Sequence, residues 1–178
     1  MKLNIQFFGG RGATSGSLSV VENRILGIEK LRGGYNKEVL MILSKDGKIE
    51  DEIIGTETEA VYRGNKPLKD KILSHNHPNI DGYNYPYYSK ADIDILFQTQ
   101  ANETRISTNK ETLSLKRNGS VSRDISKKYD SVLQKTYNKA DTKNLKGAEY
   151  YDYVSKTMQK WLKRNAKKYG FKFTIYKY

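Results

Sequence analysis

The chain holds only two histidines, and they stand one residue apart, within Leu73-Ser74-His75-Asn76-His77-Pro78. On an extended backbone residues i and i+2 share a face, so a strand reaching this point presents both imidazoles together. After an interval of fourteen residues from His77 comes Asp92, in Ser89-Lys90-Ala91-Asp92. That tetrapeptide has the form of a helix start, with Ser89 as N-cap and an acid three residues later. A strand end beside a helix start would gather two imidazoles and one carboxylate around a single point, which is a ligand set for a divalent metal. The rest of the chain reads as a frame around that cluster, with a basic appendage.

The frame alternates helical and extended patterns. Val20, Ile25, Leu26, Ile28 and Leu31 follow a helical stripe over 19–32, stopped by Gly33-Gly34. Glu38-Val39-Leu40-Met41-Ile42-Leu43-Ser44 is an apolar run of strand length. Asp46-Gly47 is a hairpin turn, and Ile49 to Ile54 is the return strand. Residues 55–71 are polar and without clear periodicity, and Pro67 breaks any long element there. Ile72 to His75 reads as a short strand, Ser89 to about Ala101 as a helix burying Ile93, Leu96 and Phe97, and 104–118 as a hairpin turning at Asn109-Lys110.

Beyond residue 121 the character changes. Residues 122–138 carry Ile125, Tyr129, Val132 and Leu133 on one stripe. Residues 147–169 repeat Tyr151, Val154, Met158, Trp161, Leu162 and Tyr169 at helical spacing, with Gly170 as a stop. Phe171, Phe173 and Ile175 then alternate with polar residues, as in a strand. The pattern divides the chain into a Gly/Ser-rich arm over 1–18, a central domain over 19–118 and an extension over 119–178.

Charge follows the same division. The formal net charge is +12. Residues 1–118 hold 17 Lys+Arg against 15 Asp+Glu, and residues 119–178 hold 15 against 5. So concentrated an excess suits a polyanion such as non-specific DNA, or is simply a solvated helix face. With no cysteine, disulfides and thiolate zinc sites are excluded. No apolar run approaches the ~18 residues of a membrane span. The start, Met1-Lys2-Leu3-Asn4-Ile5-Gln6-Phe7-Phe8, is too short and polar for a signal peptide, so synthesis and initial retention in a cytoplasm are expected. Gly9-Gly10-Arg11-Gly12-Ala13-Thr14-Ser15-Gly16-Ser17 lacks the G-x-x-x-x-G-K-[ST] order of a phosphate loop.

A hydrolytic zinc site has three protein ligands and one open position for water. His75, His77 and Asp92 supply three. The water also needs a base, commonly a glutamate. Glu38, opening the apolar strand, is the first candidate, and Glu57 and Glu59 are the others. Ser89 has a hydroxyl to offer an oxyanion. His-Asn-His is not an HNH nuclease signature, whose residues are spread over a ββα unit and need a further histidine.

Glu, then His-x-His-Pro, then Ser-x-x-Asp is the signature of the JAB/MPN (JAMM) zinc metallopeptidases. The chain resembles that family at Glu38, at His75-Asn76-His77-Pro78 and at Ser89-Lys90-Ala91-Asp92, over roughly residues 19–118. The resemblance implies an α/β (α+β) fold in which a mixed, curved sheet flanked by helices carries the site. It implies that His75, His77 and Asp92 bind Zn2+, that Glu38 is the general acid/base and that Ser89 supports the oxyanion. The implied activity is hydrolysis of an amide or isopeptide bond in a protein or peptide substrate. One departure is the interval between His77 and Asp92, longer than the family pattern and rich in tyrosine over 79–88. Those tyrosines either line a substrate groove or pack.

Met1-Lys2-Leu3-Asn4-Ile5-Gln6-Phe7-Phe8-Gly9-Gly10-Arg11-Gly12 resembles the opening of minor head proteins of tailed phages of Gram-positive bacteria. That resemblance implies incorporation into a virion, an arm that docks on capsid or portal proteins, and DNA held by residues 119–178. The alternative to the enzyme is then a non-catalytic virion protein built on a JAB-like scaffold.

Overall fold

The computed structural model describes residues 18–78 and 85–178. The expected arm over 1–18, apart from Leu18, and the 79–84 part of the tyrosine loop lie outside the described residues.

The fold is mixed α+β: a mixed sheet of six strands and four α-helices. In chain order these are α1 (Val20–Arg32), β1 (Val39–Leu43), β2 (Ile49–Ile54), β3 (Ile72–Asn76), α2 (Lys90–Gln98), β4 (Glu103–Ser107), β5 (Glu111–Arg117), α3 (Asp124–Thr142), α4 (Gly147–Asn165) and β6 (Phe171–Lys177). The strand order is β2-β1-β3-β4-β5-β6, and only β3 and β4 run parallel. A parallel pair needs a crossover, and the segment containing α2 provides it.

Alternation along the strands sorts side chains to two faces. Leu40, Ile42, Leu73, Ile106, Leu113 and Leu115 meet the apolar stripes of α2, α3 and α4 in the larger core. Val39, Met41, Leu43 and Ile72 meet Ile25 of α1 on the other face. Helices on both faces explain why β1 is buried at every residue and why its sequence is an uninterrupted apolar run. Residues 119–178 belong to this same body, since β6 pairs with β5 from Glu111–Lys177 to Arg117–Phe171, and α3 and α4 share the larger core.

Helix ends depart from the periodicity by local bonding. α2 stops at Gln98 rather than near Ala101, because the Thr99 hydroxyl donates to the Ile95 carbonyl at 2.6 Å and Gln100 adopts a φ of 57°. α3 runs from Asp124 to Thr142, later than the expected 122–138. The last turn expected of α4 tightens into a 3₁₀ turn over Ala166–Tyr169. Gly170 then turns the chain with a φ of 81°, and a Cβ there would lie 1.9 Å from the Ser120 carbonyl oxygen.

The face toward α1 also holds a fully buried Arg105. Its guanidinium donates to Glu29 at 2.7 and 2.9 Å, to Glu103 at 2.8 Å and to Glu22 at 2.6 Å. Ser74 and Ser114 donate to Glu29 and Glu103, each at 2.6 Å. The network ties α1 to β3, β4 and β5. Removing the cation would leave the buried Glu29 with only a hydroxyl partner, and Glu103 with a hydroxyl and the half-exposed Lys116, against their charges. Arg105→Ala is therefore expected to lower unfolding free energy by about 3–5 kcal/mol in a urea titration, and Lys116→Ala, at the exposed edge of the network, by under about 1 kcal/mol.

Candidate metal centre

His75 lies in β3 on the face of the larger core, opposite Leu40 of β1 and Ile106 of β4. His77 follows the strand, and its backbone N–H continues the ladder by donating to the Ser107 carbonyl at 2.9 Å. Asn76, between them, points to the opposite face and is fully buried. Its side-chain oxygen accepts from Val39 N–H at 2.7 Å, and its amide donates to the Lys37 carbonyl at 3.0 Å. Asn76 thus clamps the end of β3 to the start of β1 on either side of Glu38.

Asp92 comes from the first turn of α2. Ser89 Oγ accepts from Asp92 N–H at 3.2 Å, while Asp92 Oδ2 accepts from Ser89 N–H at 2.6 Å. This capping box holds one carboxylate oxygen and leaves Oδ1 directed at the histidines. His75 Nε2 lies 3.3 Å from Asp92 Oδ1 and 3.2 Å from His77 Nε2. All three ligand atoms lie within 4.8 Å of one another. Two ligands each about 2.0–2.1 Å from one tetrahedral ion are about 3.3 Å apart, which matches the two spacings made by His75. His77 Nδ1 donates to the Tyr85 carbonyl at 2.6 Å, which leaves its Nε2 lone pair facing the shared point. The three residues form a group that could hold a metal ion.

The surrounding charges are tuned by burial and by each other. Burial works against the charged form of His75, but the Asp92 charge, its hydrogen bond and Glu38 together raise its pKa. Burial, helped by the His75 charge, lowers His77 to about 4. Burial opposes ionisation of Asp92, yet the two histidines and the Ser89 N–H hold its carboxyl well below the usual range. Glu38 sits just before β1. The β1–β3 register pairs Leu40 with His75, so its continuation sets Glu38 across from His77 on the same face. Desolvation, offset in part by His75, raises the Glu38 pKa, and a backbone hydrogen bond from Ala60 anchors the carboxylate.

Glu38, His75, His77, Ser89 and Asp92, the five residues singled out in the sequence, all line one cleft of about 510 Å³. Glu57 and Glu59 line it too, as do Tyr85, Tyr87 and Tyr137. The tyrosines also pack: Tyr87 and Tyr137 are in edge contact, and Tyr137 stacks on Tyr150. Sequence reasoning missed the clamp at Asn76 and the carbonyl of Tyr85. Strand alternation sets Asn76 on the face opposite the two histidines, but its burial and its partners on β1 come only from the meeting of β1 and β3. The carbonyl has no side-chain signature.

Metal analysis of the chain purified at neutral pH should find about one divalent ion per chain, and His75→Ala/His77→Ala should abolish it. Affinity should rise with pH through the His75 titration, because the ion binds neutral imidazole and competes with its proton. Isothermal titration across pH 5.5 to 8 checks both the sign and the coupled proton release.

Among the described residues no helix is long and apolar enough to cross a membrane. Compared with protein-family models, curated proteins and solved structures, the chain matches none of them.

Proposed function

We propose that the chain is a zinc-dependent peptidase or isopeptidase of JAB/MPN type that hydrolyses an amide bond in a protein or peptide. The observation that carries the reading is the spacing of His75, His77 and Asp92 at one point, with Glu38 and Ser89 on the same cleft. A zinc ion held by those three residues would lower the pKa of a bound water to about 7 and polarise the substrate carbonyl. The chain's own groups do the remaining work. Glu38, its affinity for a proton raised by burial, takes the proton of the attacking water and passes it to the leaving amine. The Ser89 hydroxyl accepts from Asp92 N–H and retains its own proton to donate to the carbonyl oxygen. The opening residues support a tailed-phage setting with capsid or portal proteins as partners.

The test is cleavage of a proteome-derived peptide mixture by the zinc-loaded chain, read by mass spectrometry. Glu38→Gln should lower kcat by about 10²–10⁴-fold with zinc content unchanged. A protein that stays zinc-free at neutral pH would leave the virion-scaffold alternative.

A second, compatible reading is non-specific binding of duplex DNA by the basic face of α4 and the 3₁₀ turn that follows it. No Asp or Glu follows Asp152, whereas eight Lys and Arg do. Lys156, Lys160, Lys163 and Lys167 recur at intervals of four, three and four and are exposed. The apolar side of α4, Val154, Met158 and Leu162, is buried, so the stripe offers nothing to insert into a membrane. Four phosphate contacts predict a slope of log K against log[salt] of about −3.6. Lys160→Ala/Lys163→Ala/Lys167→Ala should bring it to about −1 in fluorescence anisotropy with a duplex of arbitrary sequence.

A further inference from the structure

The cleft has a polarity opposite to that of the chain. Four carboxylates line it, those of Glu38, Glu57, Glu59 and Asp92, and among the described residues no Lys or Arg does, in a protein of net charge +12. Glu38 and Asp92 belong to the metal centre. A divalent ion beside two neutral imidazoles would balance their charges and leave Glu57 and Glu59 as the net charge of the cleft. Both are exposed, and neither has an ion-pair partner among the described residues.

These two acids are held in place by a turn. Thr56 N–H donates to the Glu59 carbonyl at 2.8 Å. Thr56 Oγ1 accepts from Thr58 N–H at 3.3 Å and Glu59 N–H at 3.2 Å. Gly55 admits no side chain, since a Cβ there would lie 2.0 Å from the Glu59 carbonyl oxygen. Gly55 N–H donates to the Glu38 carbonyl at 2.8 Å, and Ala60 closes the turn with its hydrogen bond to the Glu38 carboxylate. The turn that steadies Glu38 therefore also sets Glu57 and Glu59 at the cleft's lip.

A second feature of the cleft points to a ligand. Thr104 lies on the same sheet face as Leu73, its partner in β4–β3 pairing, and lines the cleft. Its side chain is 1% exposed, and Oγ1 has no hydrogen-bond partner among the described residues. A buried hydroxyl without a partner is destabilising, and a polar ligand atom reaching the cleft floor would satisfy it. Tyr85, Tyr87 and Tyr137 provide apolar area on the same cleft.

We propose that this cleft selects peptides carrying a Lys or Arg side chain beside the scissile bond, with Glu57 and Glu59 receiving the cation and Thr104 Oγ1 bonding the peptide within the cleft. The scissile bond rests on the peptidase reading, whereas recognition of the cation does not. The zinc-loaded full chain would be titrated calorimetrically with three acetyl-dipeptide hydroxamates that differ only in lysine, norleucine or glutamate beside the metal-binding group. Lysine should bind about tenfold more tightly than norleucine, and glutamate more weakly than either, with the preference shrinking as salt is raised. Glu57→Gln/Glu59→Gln should remove the preference and leave zinc content and norleucine affinity unchanged. Equal affinities, or a preference that survives the double variant, would overturn the proposal. If the chain takes up no zinc, the peptidase reading fails on its own. The same comparison with metal-free lysine and norleucine tetrapeptide amides then decides the cation site, where equal binding or no binding overturns it.

Discussion

The register between β1 and β3 is the constraint on which the candidate site depends. Leu40 pairs with His75, so the residues that follow His75 and precede Leu40 face each other beyond the last pair. Side-chain direction alternates along a strand, and a slip by one residue would send every side chain of β3 to the other face. Asn76 guards against that slip. It bonds the backbone of both Val39 and Lys37 from a fully buried position, and it finds those partners in one register only. The acid expected to handle protons and the imidazoles expected to hold the ion are therefore set by one pairing.

Around that register the two sheet faces have different tasks. The face toward α2, α3 and α4 is apolar through most of its length and opens at the carboxyl end of β3 into the cleft. Parallel β3 and β4 leave that end free of a tight turn, because the chain must cross over through α2 to return. The start of α2 comes back to the same edge with its capping box. Asp92 serves both as a cap, through Oδ2, and as the third candidate ligand, through Oδ1. The opposite face is sealed by Arg105 and its carboxylates, which tie α1 across three strands. The sheet behind the histidines holds the ligand atoms close to one another.

Charge is segregated on a larger scale. The last 26 residues carry no acid, while the cleft is lined by carboxylates and no cation among the described residues. Segregation of this kind lets one molecule attract a polyanion on its helical face and repel it from the cleft. The extension over 119–178 joins the two. Through Tyr137 it walls the cleft, through α4 it presents the lysine stripe, and through β6 it completes the sheet.

Much of this was legible in the sequence where the signal is local. The hairpin at Asp46-Gly47, the cap at Ser89, the stop at Gly170 and the alternation from Phe171 all arise from backbone preferences that a few neighbouring residues express. The His75, His77 and Asp92 cluster was legible because strand and helix periodicities say which side chains share a face. Helix ends were less so, since a single hydroxyl such as Thr99 decides them. What the tertiary structure alone decided are the facts that depend on which segments meet: the burial of Arg105 among Glu22, Glu29 and Glu103, the clamp at Asn76, and the turn that brings Glu57 and Glu59 to the cleft. These residues are polar, and polar residues carry no periodic signal of burial. Their place depends on distant partners that remove the cost of leaving water, and a one-dimensional pattern does not contain that pairing.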